Sequence, residues 1–132
     1  MIELRNGDCL ELMKNIPDKS VDLILCDLPY GTTSCDFDNV IPLNKLWAEY
    51  NRIIKDNHII ALFCAQPFTT ELISSSILNF KYTWVWVKNR GVGFQYAKSQ
   101  PMRQTEDIAI FNKTLNDTAA NHPLFNDLKN TF

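Results

Sequence analysis

A chain of 132 residues can form one compact domain with a usable core and leaves little room for a second module. Its 13 basic residues against 15 acidic ones give a formal net charge of −2. That excludes a polycation binding nucleic acid by bulk charge, so any such contact has to be local.

Cys9, Cys26, Cys35 and Cys64 are scattered, with no C-x-x-C pair and no nearby histidine cluster. Neither a zinc site nor a disulfide framework is expected, and the four read as reduced, mostly buried thiols. No basic segment precedes an apolar run at the N-terminus, and no apolar stretch approaches the ~20 residues a membrane span needs. The chain is therefore expected to be cytoplasmic, with no membrane and no metal partner.

In chain order, Ile2 to Leu4 reads as a short strand. The Asn6-Gly7-Asp8 turn then leads into a helix whose apolar face is Leu10, Leu12, Met13 and Ile16 and which Pro17 stops. Val21 to Cys26 is a nearly unbroken apolar run, too short for a helix and typical of a central parallel strand covered on both faces. It ends in Asp27-Leu28-Pro29-Tyr30-Gly31.

After a polar loop, Leu43, Leu46, Trp47, Tyr50, Ile53 and Ile54 recur at three- and four-residue spacings and predict a helix from about Pro42 to Lys55. His58 to Cys64 repeats the buried-strand signature. Gln66-Pro67 marks its exit, and Thr69 or Thr70 is expected to cap a helix through Leu78. Tyr82 to Val87 alternates aromatic and β-branched residues as a strand does, and Asp107 to Phe111 is a shorter run of the same kind.

Trp84 and Trp86 share one face of their strand and read as core rather than as base-stacking residues. Between the last two strands, Lys88 to Gln104 reads as a loop. His58 and His122 have no partners in sequence. From Lys113 the chain is polar, with Leu115, Leu124, Phe125, Leu128 and Phe132 as its apolar points. The domain is placed at residues 1–112, with 113–132 a polar tail that has room for one short helix. Strands alternating with helices, then two strands without a comparable helix between them, predict an α/β fold whose sheet is mostly parallel with one antiparallel edge.

The residues that carry chemistry stand at the carboxyl end of the first strong strand, where open α/β sheets place their ligands. The Asp27 carboxylate can accept one N–H of an amino group on a planar base, and a backbone carbonyl near Leu28 or Pro29 can accept the other. Tyr30 can then stack on the ring. The bland alternative is a turn in which Asp caps, Pro stiffens and Tyr covers an edge. Lys88, Arg90, Lys98 and Arg103, interleaved with Phe94, Gln95 and Tyr96, form a local basic and aromatic segment. It suits a phosphate backbone and unstacked bases, or else is a solvated loop whose aromatics cap the core.

Asp27-Leu28-Pro29-Tyr30 resembles the (D/N/S)-P-P-Y signature of the DNA amino-methyltransferases that act on adenine N6 or cytosine N4. Leu28 replaces the usual proline, at a position where that family uses the backbone. The resemblance extends through Asn6-Gly7-Asp8-Cys9-Leu10-Glu11 and Asp18-Lys19-Ser20-Val21-Asp22-Leu23-Ile24, which are similar to the N-terminus of the permuted β-type group. It continues through Trp84, Trp86, Lys88, Gly93, Ala97-Lys98, Pro101 and Glu106 to Phe111.

The resemblance implies a partial Rossmann-like sheet that uses S-adenosylmethionine, with Asp27, Leu28, Pro29 and Tyr30 catalytic and Asp8, Cys9 and Asp27 at the donor. Lys88, Arg90, Phe94, Lys98 and Arg103 are then placed on DNA. Asp8 serves equally well as the N-cap of the first helix, and the two roles are compatible. An aspartate at the head of the signature favours adenine. Such enzymes extrude the target base, because its amine lies in the duplex stack.

In the permuted group a glycine-rich donor motif follows the catalytic half, and none of Gly7, Gly31, Gly91 and Gly93 forms such a turn. The chain is therefore expected to be a truncated form lacking that motif. Three explanations stay open: a regulator that binds DNA or protein on a degenerate scaffold, one part of a split enzyme, or a fragment whose function belongs to a longer form. Loss of a strand-and-helix half exposes apolar faces, so a homodimer or a partner chain is expected to cover them.

Overall fold

A computed structural model describes residues 2–32, 38–94, 97–99 and 101–112. Its elements in chain order are α1 (Cys9–Met13), β1 (Val21–Asp27), α2 (Leu43–Ile53), β2 (Ile54–Cys64), α3 (Phe68–Ser75), β3 (Phe80–Val92) and β4 (Arg103–Asn112). The four strands form one sheet in the order β1-β2-β4-β3. β1 and β2 run parallel, with Cys26 opposite Leu62 and Asp27 opposite Phe63. β4 runs antiparallel to both of its neighbours. The mixed α/β class expected from the alternation of elements is the one observed, and the antiparallel part comprises both pairings of β4.

One face of the sheet is packed. Ile60, Leu62 and Cys64 of β2 and Ala109 and Phe111 of β4 join Met13 of α1, Leu46, Trp47, Tyr50 and Ile53 of α2, and Phe68 and Leu72 of α3 in a single core. The three- and four-residue spacing in α2 puts this stripe on one side of the helix, and burial of the stripe holds the helix down. Trp47 stacks at a tilt on Phe111 with ring centroids 4.7 Å apart, and its indole N–H donates to Ser75 Oγ at 2.7 Å. One side chain thereby ties α2 to both β4 and α3.

Arg52 closes the other end. Its guanidinium donates to the Met13 and Ile16 carbonyls, each at 2.8 Å, and to Asp18 Oδ1 at 2.6 Å. The Met13 carbonyl also accepts from the Ile16 N–H at 2.9 Å, so Arg52 adds a second donor at the end of α1 and supplies one to the Ile16 carbonyl in the turn that follows.

Several expectations are corrected. Ile2 to Leu4 forms no strand, and Ile2 and Leu4 are 90% and 93% exposed; two apolar side chains around Glu3 offer too little burial to offset ordering the backbone. Among the described residues β1 is an edge strand rather than a central one, and its second face is open, with Leu23 and Leu25 55% and 62% exposed. An unbroken apolar run does not by itself tell whether both faces are covered.

α3 starts at Phe68, with Pro67 at the cap position and no side-chain cap, and it ends at Ser75 rather than Leu78. Thr69 lies buried inside the helix, while the Thr70 hydroxyl donates to Gln66 Oε1 at 2.8 Å. Lys88 to Val92 continue β3, and Arg103 and Gln104 belong to β4, so the segment expected as a loop is the end of a hairpin. A register shift between Val87 and Val92 accommodates the extension. Trp84 and Trp86 are 54% and 47% exposed and are not core. Cys9 is exposed, Cys26 half-buried and Cys64 buried; Cys35 lies outside the described residues, as does the expected tail at 113–132.

Candidate active site

β1 carries Asp27 to the carboxyl end of the sheet, and the chain then leaves through Leu28, Pro29 and Tyr30. Leu28 turns inward and is 5% exposed, anchoring the turn in the core. The exposed Asp27 carboxylate accepts a hydrogen bond through Oδ1 from the Tyr30 hydroxyl at 2.9 Å. The Tyr30 ring is half-buried and stacks on Phe68, with centroids 5.4 Å apart and planes 22° from parallel. Burial first, then the hydrogen bond to Asp27, hold the Tyr30 phenol far above the usual tyrosine range, so it remains a donor.

The turn is clamped beyond the signature. The Gly31 and Thr32 N–H groups donate to the two carboxylate oxygens of Asp38, at 2.9 and 2.8 Å. Gly31 has φ +67°, and a Cβ there would stand 2.8 Å from Val40 Cγ2. Glycine meets both demands, a left-handed backbone and a close approach.

Asp8 is the N-cap of α1. Its Oδ1 accepts from the Leu10 and Glu11 N–H groups at 2.8 and 3.3 Å, satisfying donors that the helix start leaves unpaired. Cys9 follows at the surface, where partial shielding of the sulfur and then the Asp8 carboxylate push its thiol up. Beside α1 lies an open cavity of about 420 Å³ lined by Glu3, Arg5, Gly7, Cys9, Leu12, Met13 and Ile16.

The basic and aromatic residues divide into two groups. Lys88 is partly buried, forms an ion pair with Glu106 and stands 5.5 Å from the centre of the Trp86 ring, so its charge is committed inside the protein. Arg90, Phe94, Lys98 and Arg103 are exposed at the end of the β3–β4 hairpin, where Arg103 pairs with Val92 across the strands. The structure thus gathers four of the five residues in an exposed region and sets Lys88 apart.

Sequence reasoning did not find Phe68, Asp38 or Glu106. Nor did it find a second open cavity of about 410 Å³, formed by Ala65 and Gln66 at the exit of β2 and residues 101–107 leading into β4. The one available signal was Gln66-Pro67 ending a strand at the same edge as Asp27. Among the described residues, no group of three or more His, Cys, Asp or Glu is placed to hold a metal ion, and no helix is long and apolar enough to cross a membrane.

No protein-family model matches the chain. Solved structures do resemble it. It superposes on M1.HpyAVI in complex with SAM with a TM-score of 0.61 at 21% identity, covering 89% of this chain and 62% of that one. For the PvuII DNA methyltransferase, described as cytosine-N4-specific, the TM-score is 0.60 at 14% identity, covering 82% and 48%. For a Thermus thermophilus protein assigned as a DNA modification methylase and complexed with S-adenosyl-L-methionine, it is 0.58 at 16% identity, covering 85% and 55%. At these identities the likeness is one of fold: the sheet and its helices resemble the corresponding part of these structures, and the chain spans between about half and three fifths of their length.

Proposed function

We propose that this chain is the catalytic half of a DNA methyltransferase that transfers a methyl group to the N6 amine of an adenine extruded from the duplex. The glycine-rich donor motif of such enzymes is not among these residues. The observation that carries the reading is the Asp27–Tyr30 pair: an exposed carboxylate held by a half-buried phenol at the carboxyl end of a parallel strand.

An ionised carboxylate has acceptor capacity for several donors. Asp27 therefore takes one N–H of the amine while the Tyr30 hydroxyl fixes the carboxylate's orientation. The Leu28 or Pro29 carbonyl takes the second N–H. These bonds draw the amine from planar toward tetrahedral geometry and localise its lone pair for attack. Tyr30, backed by Phe68, offers its ring to the base. Catalysis of this kind is positioning and electrostatic stabilisation rather than strong-base chemistry.

S-adenosylmethionine supplies an electrophilic methyl on a sulfonium centre. The chain fits one side of such a donor: the exposed carboxylates of Asp8 and Asp27 suit its cationic ammonium and sulfonium groups, and the cavity beside Cys9 leaves space next to α1. Asp8 already caps α1 through one oxygen, so capping and donor contact are compatible at that residue. Arg90, Phe94, Lys98 and Arg103 are assigned to the DNA backbone and its bases.

Incubating the chain with unmethylated DNA and the donor, then measuring digested nucleosides by mass spectrometry, tests the reading. N6-methyladenine that falls about 100-fold or more in Asp27→Ala is expected, by analogy with loss of a transition-state hydrogen bond. N4-methylcytosine would keep amino-methyl transfer and overturn the choice of adenine. Retained DNA binding with no methylated nucleoside would favour a binding role.

A further inference from the structure

Among the described residues the helices lie on one face of the sheet, over β2 and β4; the opposite face carries Leu23, Leu25 and Asp27 of β1, Ile59, Ala61 and Phe63 of β2, Glu106, Ile108 and Ile110 of β4, and Tyr82, Trp84, Trp86 and Lys88 of β3. This set follows from the registers that place Leu25 opposite Ala61, Ala61 opposite Ile110, and Ile110 opposite Tyr82, since paired residues point to the same side and alternate ones share it. Leu23, Leu25, Ile59, Tyr82, Trp84 and Trp86 are 36% to 62% exposed. Soluble proteins seldom leave an apolar patch of this extent open without a use for it.

We propose that this face is the interface of a homodimer, in which two copies pack sheet against sheet around a two-fold axis. Area and charge point to a second copy. Three aromatic side chains of roughly 150–250 Å² and three smaller aliphatic ones, about half open, present on the order of 500 Å² per chain, and two such faces reach the roughly 1,000 Å² that a biological interface has to clear. The middle of the face carries no charge. Asp27, Lys88 and Glu106 lie toward the end where β1 and β2 finish, with Lys88 and Glu106 neutralising each other. A face that is apolar at its centre and polar at one rim can meet its own copy without like charges being buried. Two twisted sheets packed in this way sit about 10 Å apart, with Trp84 and Leu25 filling the space between them.

The test is the mass of the full chain in solution by light scattering and sedimentation, from nanomolar to tens of micromolar, read alongside tryptophan emission. A monomer–dimer equilibrium is expected, with emission shifting to the red on dilution as Trp84 and Trp86 become wet. Trp84→Glu and, separately, Leu25→Glu should each raise the dimer dissociation constant at least about 100-fold while leaving the far-ultraviolet circular dichroism unchanged. Both side chains are already solvent-exposed in the single chain, so neither change disturbs its core. Leu78→Glu, at an exposed position on the chain between α3 and β3, should leave the dimer intact. A wild-type chain that stays monomeric at tens of micromolar would overturn the proposal and leave the face to another polypeptide. A dimer insensitive to both face variants would overturn it equally, by placing the contact elsewhere.

Discussion

Tyr30 does two things that a single substitution can separate: its ring stacks on Phe68 and its hydroxyl orients Asp27. Tyr30→Phe keeps the first and removes the second. Thermal and denaturant unfolding should show a loss of about 0.5–1 kcal/mol, below the roughly 1.5–3 kcal/mol of a hydrogen bond to a charged group, because the pair is partly exposed.

The same residue predicts a response to alkali. Its folded-state ionisation lies above the ordinary tyrosine value, and so does that of Tyr50, where burial is again the first cause. The folded state therefore holds its protons more tightly than the unfolded state, and their contribution is fully present below about pH 10 and lost as pH rises beyond it. Unfolding midpoints measured between pH 8 and 11.5 should fall steeply above about pH 10 in the wild type. They should fall less in Tyr50→Phe. At this scale the candidate site was legible where it is local: a carboxylate, a proline and an aromatic adjacent in sequence form one turn. Phe68, Asp38 and Glu106 were not legible, because each meets the turn only through the folded sheet or a loop closing back on it.

Among the elements, the β3–β4 hairpin separates charges that sequence alone had pooled. Arg90, Lys98 and Arg103 are exposed at its end, whereas Lys88 faces Glu106 and Trp86. If the exposed three meet phosphates, replacing any one by alanine should reduce the slope of log affinity against log salt by about 1 for a nonspecific duplex. Lys88→Ala should leave that slope unchanged and lower the melting temperature, since Glu106 then loses its partner. Fluorescence anisotropy across a salt series reads the slopes directly.

α2 was legible from its spacing because a helix packed on one side writes its buried face into every third or fourth residue. The extension of β3 through Lys88-Asn89-Arg90-Gly91-Val92 was not, since these residues carry little strand preference of their own. Pairing with β4 decides their conformation. Nor did the apolar run in β1 disclose that it borders the sheet.

For the molecule as a whole, the sequence motifs and the fold converge on one edge. The carboxyl ends of β1 and β2 bring the Asp27–Tyr30 turn and the exit at Ala65 and Gln66 to the same side of the sheet. Among the described residues the helices cover one face over β2 and β4 and leave the other to the proposed partner copy. The α/β class was readable from the alternation of apolar runs with a helical period. That some apolar face would stand open was expected only from the missing half that the resemblance implies; which face it is was not legible, because apolar residues on a strand look alike whether the layer over them is present or absent.

The central claim is that an amine and a methyl donor meet at Asp27, and calorimetric titration of the full chain with S-adenosylmethionine tests it most directly. Saturable binding is predicted, weakened by Asp27→Ala and by Asp8→Ala; the Asp8 variant should also show a cap loss of about 1 kcal/mol in stability. No heat of binding at millimolar donor, in a chain whose fold is intact by circular dichroism, would contradict the claim for this chain.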